Sequence, residues 1–491
     1  MRKQVKVGFI PANRGFFSDR LAAEMRAVTI EALEKQGIHV VVPDEKTTKV
    51  GCVEGYAEAK IAARMFRDAE VDGILVGAVN FGDESAVALC VKEAALNVPI
   101  MIFGAHETGR LTRKMERRDS FCGLLSIGDA LRQVGARYSA ARAPICYPSD
   151  PSFAGDAAWF AGVCRVVRGV RKARYGQVGT RPNAFWTCRF NERALQERLG
   201  VTTLVMDLSE ALGKANRLAD DDAKVKAILA DIAKYTDTSD VPKQSLLRMA
   251  KFEVVMRDFV AEEELDGLAI QCWRSLEENF GITPCTCMSR LGNEGIPCAC
   301  EADIVGLLSM HSLLLAAQTP AGLADWNNLS IDDPDVCNLW HCGVFPKALF
   351  GERPTRMAAH EIIAGTVGRE NAFGTMEGTI ENGPVTLARV ATGADDQFKA
   401  FVVEGDVETT PNETFGAGGW VRIPGLQRAY RDILLRHFPH HVGIARGKVG
   451  DILYEAFGNY LGMQTFVPES NVDGVYRPGL PFSERAAAVK T

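Results

Sequence analysis

At 491 residues, with 47% hydrophobic and 24% charged side chains, the chain has the balance of an ordinary globular protein and enough length for two or three cores. A formal net charge of −6 argues against a dedicated nucleic-acid surface, and no apolar run approaches the roughly 18 residues that a membrane span needs. The basic start, Met1-Arg-Lys-Gln-Val-Lys-Val7, leads into a strand rather than an apolar signal core, so the thirteen cysteines read as reduced thiols of a cytoplasmic protein.

The first stretch alternates strand and helix. Strands are expected at 5–11, 39–42, 73–77 and 99–103, and helices at 21–36, 56–69 and 84–95. That alternation implies a parallel sheet covered on both faces, with ligands beyond the carboxyl ends of its strands. Asn13, Arg14, Asn80, Phe81, His106 and Glu107 fall on that edge. The missing G-x-G-x-x-G after the first strand gives no support for a dinucleotide site. The basic cluster Arg110–Arg118 reads as a solvated loop or helix face.

A turn cluster at 148–156 opens a second alternating block. Helices are expected at 159–174, 208–218, 223–235, 243–263 and 301–317, and strands at 202–206 and 267–271. Cys285-Thr-Cys287 and Cys298-Ala-Cys300 are too tightly spaced for structural zinc and read as small apolar side chains around a buried loop. From about residue 346 the segments are short and turn-bounded: strands at 362–368, 373–380, 385–392 and 398–404, with a hairpin at Glu381-Asn-Gly383. Helices at 425–437 and 449–461 follow, and the tail after Pro468 reads as an extended arm. The expected fold class is α/β: two parallel-sheet domains, 1–152 and 153–345, then an antiparallel, barrel-like β-rich domain, 346–491.

Two carboxylates and a histidine pair carry the chemistry. Glu301 stands in Cys298-Ala-Cys-Glu-Ala-Asp303 and Asp325 in Gly322-Leu-Ala-Asp-Trp-Asn327, separated by enough chain for a helix and a return segment. Read alone, they also fit a helix-start acid and an unrelated turn aspartate. His440 and His441 stand in His437-Phe-Pro-His-His-Val-Gly443. In an extended segment they face opposite ways, so at most one enters a given site. His341, in Asn338-Leu-Trp-His-Cys-Gly343, reads as either a core residue or a ligand. Carboxylates with imidazole suit a divalent cation harder than zinc's thiolate partners, such as Mn²⁺, Mg²⁺ or Co²⁺, and paired carboxylates also move protons.

The segment Pro439–Gly450 resembles the metal-binding histidine segment of the L-fucose isomerase and L-arabinose isomerase family, and the Glu301/Asp325 pair resembles the catalytic pair of the fucose type. The resemblance implies two Rossmann-like domains with a β-rich third, and an aldose–ketose isomerase working through a cis-enediol. It implies Glu301 and Asp325 as acid/base pair and metal ligands, His441 as metal histidine, and His341 as a further metal ligand near the arabinose-type position. It also implies a homo-oligomer, trimer or hexamer, in which one subunit's edge, carrying Arg14, completes its neighbour's site. Gln271, Trp273, Arg274 and Trp326 are candidate sugar-lining residues. The aspartate follows the fucose type and the His-His pair the arabinose type, which leaves the sugar open among deoxy-hexose, pentose and anionic or sulfonated aldoses. A metal-dependent sugar aldolase or hydrolase, and a non-catalytic sugar-binding protein, are the alternatives.

Overall fold

The structure is a computed structural model that describes residues 4–393 and 395–467; the expected arm after Pro468 lies outside them. The described chain forms two compact units, one of residues 4–168 and 455–462, the other of 169–454 and 463–467. No helix among the described residues is long and apolar enough to cross a membrane.

The first unit holds a five-stranded, all-parallel sheet: β1 (Lys6–Ala12), β2 (His39–Val41), β3 (Gly73–Ala78), β4 (Ile100–Gly104) and β5 (Ser139–Ile145), in the order β2-β1-β3-β4-β5. β3 and β4 are buried throughout, as strands covered on both faces must be. Two of its helices start where side chains cap them: Ser18 accepts from Leu21 N and Asp83 from Ala86 N. The helix Ser120–Gln133 and β5 were not anticipated from the sequence. Arg118, expected to be solvated, is buried at 1% exposure, 3.7 Å from Glu24. Tyr460 returns to this unit and donates to Ile100 O at 2.9 Å.

The second unit begins with a four-stranded parallel sheet: β6 (Arg174–Val178), β7 (Thr202–Met206), β8 (Gly267–Ile270) and β9 (Cys298–Cys300), in the order β7-β6-β8-β9. A nine-stranded sheet follows: β10 (Ala321–Leu329), β11 (Val336–His341), β12 (Arg356–Ala359), β13 (Phe373–Thr379), β14 (Gly383–Thr392), β15 (Phe398–Val407), β16 (Ala417–Arg422), β17 (His441–Arg446) and β18 (Gln464–Phe466). Its order is β12-β13-β16-β11-β10-β17-β14-β15-β18. The helix Ile304–Ala317 packs against strands of both sheets, and that is why it is apolar on every side. Glycine at 443 lets β17 approach it: a Cβ there would lie 2.7 Å from Leu313 Cδ1.

Several expectations are corrected. The last sheet is mixed, with β13–β16 and β15–β18 parallel, and is not a closed barrel; β15 touches β16 over only two residue pairs. Glu381-Asn-Gly383 makes no hairpin, because β13 pairs with β12 and β16 while β14 pairs with β15 and β17. The turn residues mark a reversal of direction, and tertiary packing selects other partners. Residues 361–367 form a helix, capped by His360 accepting from Ile363 N, despite their β-branched content. The helix expected from Glu301 starts at Ile304, with Asp303 as its N-cap.

Candidate metal centre

Glu301 stands at the carboxyl end of a parallel strand, in the turn between β9 and the helix Ile304–Ala317. It and Ala302 have φ of 61° and 53°. Consecutive left-handed non-glycine residues cost of order 1–3 kcal/mol each and persist where the surroundings over-determine them. The turn aims Glu301 away from the helix axis while Asp303 Oδ1 accepts from Gly306 N at 2.8 Å to cap the helix.

Asp325 and His441 meet by sheet register. β10 and β17 are antiparallel neighbours, and Asp325 lies directly opposite His441, which brings their side chains together on one face. His441 Nε2 is 3.2 Å from Glu301 Oε2 and 3.6 Å from Asp325 Oδ1. Two ligands held about 2.1 Å from one ion at near-octahedral or tetrahedral angles lie roughly 3.0–3.4 Å apart, so the Glu301 separation is of coordination size and the Asp325 separation is slightly wider.

The other face of the imidazole is held rigidly. His441 Nδ1 is 2.8 Å from Asp303 Oδ2, and Arg389 grips the same carboxylate through Nη1 (2.5 Å) and Nη2 (3.0 Å). All three side chains are at most 2% exposed. Burial raises the Asp303 carboxyl, but the Arg389 guanidinium and His441 outweigh it and hold the acid well below the usual carboxylate range. An ionised carboxylate only accepts, so Nδ1 carries a hydrogen, and Nε2 presents a lone pair towards Glu301 and Asp325 once its own proton is displaced. Burial lowers His441, yet Asp303, Cys188 and Glu301 together raise it well above the usual imidazole range. A site that holds a proton this firmly is negative enough to attract a cation.

His341 Nε2, His441 Nε2 and Asp325 Oδ1 are all buried without a hydrogen-bond partner among the described residues, and these residues' ligand atoms lie within 4.8 Å of one another. Three unpartnered polar atoms around one point would be costly in a polypeptide alone. They fit a divalent cation. His341 accepts at Nδ1 from Cys342 N (2.9 Å); against the cost of burial, the Cys342 sulfur and the Asp325 carboxylate carry it up to about 9. His440 also reaches this point, 3.6 Å from Asp325 Oδ1 and 39% exposed at the mouth.

The other sequence candidates are dispersed. Trp273 Nε1 donates to Glu301 Oε1 at 3.1 Å, and its ring meets Phe185, which also touches His440. Gln271 holds the neighbouring loop, accepting from Thr180 N (2.9 Å) and donating to Ser275 Oγ (3.1 Å). Arg274 is 57% exposed, 3.7 Å from Glu278. Trp326 takes the opposite side of β10 from Asp325 and packs on Phe401, 6.3 Å between ring centroids. Arg14, in the first unit, is tied to Gly82 O (2.9 Å), Glu84 and the Phe81 ring.

Sequence reasoning missed Arg389, Cys188 and Phe185 and named Asp303 only as the end of the Glu301 motif. Asp303 carried a detectable signal, an acid two residues past Glu301 at a helix start. Arg389 carried none. The thirteen cysteines are all free. The C-x-C pairs divide between neighbours, Cys285 Sγ lying 3.7 Å from Cys342 and Cys300 Sγ 2.8 Å from Cys272.

Residues 8–171 match the profile described as "Fucose/sulfoquinovose isomerase, N-terminal domain", and residues 339–467 match "L-fucose isomerase, C-terminal domain". The chain is similar to the protein named sulfoquinovose isomerase of Priestia aryabhattai and of Priestia megaterium (strain ATCC 12872 / QMB1551). Each is 24% identical over 468 residues, covering 94% of this chain and 98% of the relative. A further sulfoquinovose isomerase, of Alkalicoccus urumqiensis, is 26% identical over 351 residues, 70% of this chain and 74% of that one.

Proposed function

Because this chain belongs to the fucose/sulfoquinovose isomerase family and is an aldose–ketose isomerase, we propose that it converts an open-chain anionic aldose of the sulfonated kind to its ketose through a cis-enediol, at a divalent-cation site of Glu301, Asp325 and His441 with His341. The observation that carries the reading is the convergence of unpartnered ligand-type atoms of His341, His441 and Asp325 beside Glu301. The relatives' names favour the sulfonated substrate.

A bound Mn²⁺, or another hard divalent cation, would polarise the sugar carbonyl and stabilise developing negative charge. The chain's own residues do the rest. Isomerisation takes a proton from C2 and returns one to C1. Glu301 and Asp325 flank His441 from two different elements, so one carboxylate serves as base and the other as acid. Positioned acid–base groups contribute about 10²–10⁴-fold. Trp273 donates to Glu301 Oε1, while Oε2 faces His441 Nε2 at 3.2 Å. Phe185 and Trp273 pack edge to face beside His440, a dry apolar wall against which sugar C–H groups can lie. The enzyme works as a cytoplasmic homo-oligomer, a trimer or hexamer with sites between subunits.

The test is incubation of the Mn²⁺-loaded enzyme with neutral and sulfonated aldoses in D₂O. Ketose formation with deuterium entering at C1 or C2 and no carbon–carbon or glycosidic cleavage supports the reading. Cleavage products would assign an aldolase or hydrolase instead. Sugar binding that persists in EDTA and in Glu301→Gln without turnover would assign a binding protein.

A further inference from the structure

One more ligand-type atom stands beside Glu301. Cys188 closes the 3₁₀ turn Trp186–Cys188 in the loop that leaves β6, and it is 1% exposed. Backbone bonds from Cys188 N to Phe185 O (3.2 Å) and from Arg189 N to Trp186 O (3.0 Å) fix the turn, so backbone geometry delivers the sulfur. Sγ lies 3.9 Å from Glu301 Oε2. With Asp303 and His441 it forms a buried group whose ligand atoms all lie within 4.8 Å of one another.

A sulfur about 2.3 Å and an oxygen about 2.1 Å from one ion, at a tetrahedral angle, stand roughly 3.6 Å apart. The 3.9 Å separation of Cys188 Sγ and Glu301 Oε2 is close to that edge. Independently, His441 Nε2, buried and without a hydrogen-bond partner, lies 3.2 Å from the same Glu301 oxygen. Glu301 Oε2 therefore has an open imidazole nitrogen and a thiol sulfur within coordination range. Soft thiolate selects thiophilic cations, whereas Mn²⁺ and Mg²⁺ prefer oxygen and nitrogen.

We propose that Cys188 is a conditional ligand: Co²⁺, Zn²⁺ and Cd²⁺ take its sulfur, while Mn²⁺ and Mg²⁺ are held by carboxylate and imidazole alone. The proposal rests on the metal reading of Glu301, Asp325 and His441. Ligation exchanges the thiol S–H bond for a sulfur–metal bond and releases one proton to solvent, with no oxidant or reductant.

The experiment titrates Co²⁺ into the full-length protein after chelator treatment, following the visible d–d bands and the near-ultraviolet sulfur-to-cobalt charge-transfer band. Wild type is expected to show both. Cys188→Ser and Cys188→Ala should keep the d–d bands and lose the charge-transfer band. In each variant the Cd²⁺/Mn²⁺ affinity ratio should fall by about tenfold or more. Visible bands without charge transfer in wild type would overturn the proposal and leave the metal reading intact. So would a charge-transfer band that survives Cys188→Ser and disappears in Cys300→Ser or Cys342→Ser, since the sulfur would then come from the neighbouring thiols. Absence of any cobalt spectrum would overturn the metal reading itself, and this proposal with it. If the Cys188 variants fold poorly, a charge-transfer band absent from wild type, or lost in Cys300→Ser or Cys342→Ser, still overturns the proposal.

Discussion

Replacing Asp303 with asparagine removes a negative charge that four donors surround. Gly306 N and Arg389 Nη2 meet Oδ1, and Arg389 Nη1 and His441 Nδ1 meet Oδ2. An asparagine oxygen at the Oδ1 position keeps the helix cap. Its NH₂ group then faces two donors, and the buried Arg389 loses its counter-ion. Breaking a buried pair from one side costs about 3–5 kcal/mol. At roughly 2–4 °C per kcal/mol for a large domain, the metal-free melting midpoint should fall by roughly 6–20 °C. Loss of the anchor at Nδ1 frees the ring to rotate and take the other tautomer, which typically weakens metal affinity about 10–100-fold. The two effects separate in Asp303→Asn/Arg389→Met. That double variant removes the stranded charge and should recover most of the stability while Mn²⁺ binding stays weak. Melting by circular dichroism and Mn²⁺ titration by electron paramagnetic resonance measure both. A single variant that melts within about 3 °C of wild type and binds Mn²⁺ within about twofold of it would show that the Asp303 network does not support His441.

Glu301→Gln should lower kcat by about 10²-fold or more and weaken Mn²⁺ binding; a variant with near-normal turnover would exclude Glu301 from proton transfer. His441 holds its proton well above the usual imidazole range, so its contribution to metal-free stability is complete below about pH 6.5 and is lost as pH rises through the folded value. A cation must displace that proton, so apparent Mn²⁺ affinity should climb with pH, up to about tenfold per unit, until the folded value is passed. Calorimetric affinities that stay flat from about pH 6 to 8 would contradict this. Burial pushes Glu277 up to about 8, so stability should decline between about pH 4.5 and 8 as the unfolded chain, but not the folded one, releases that proton. Glu277→Gln should flatten this decline in denaturant titrations, and an unchanged slope would rule the residue out as its source. At Gly374 (φ 136°) a Cβ would stand 1.9 Å from Thr283 O, so Gly374→Ala should destabilise the second unit by roughly 3 kcal/mol or more; a loss below about 1 kcal/mol would show that the backbone yields.

The alternation of strand and helix was plain in the sequence, and most early elements appear within a residue or two of expectation, as at Tyr56–Asp68 and Lys243–Glu262. These rest on local periodicity, which neighbouring residues carry. The helix at 361–367 was hidden because its start depends on a His360 side-chain cap that propensity does not encode. Glu381–Gly383 held a strong turn signal, but the partner of each flanking strand was chosen elsewhere.

The sequence by itself determined the residue types of the site. Glu301, Asp325 and the histidine pair stand as carboxylates and imidazoles in short apolar contexts, although read alone the two acids also fit a helix start and an unrelated turn. Only the tertiary structure decided how they meet: the register that sets Asp325 opposite His441, the strained turn that aims Glu301, and the Asp303–Arg389 clamp behind the imidazole. Pairing between strands more than a hundred residues apart depends on the total burial and hydrogen bonding of the whole sheet. No short window of sequence contains that quantity, and for that reason Arg389, 86 residues from Asp303, left no trace beside it.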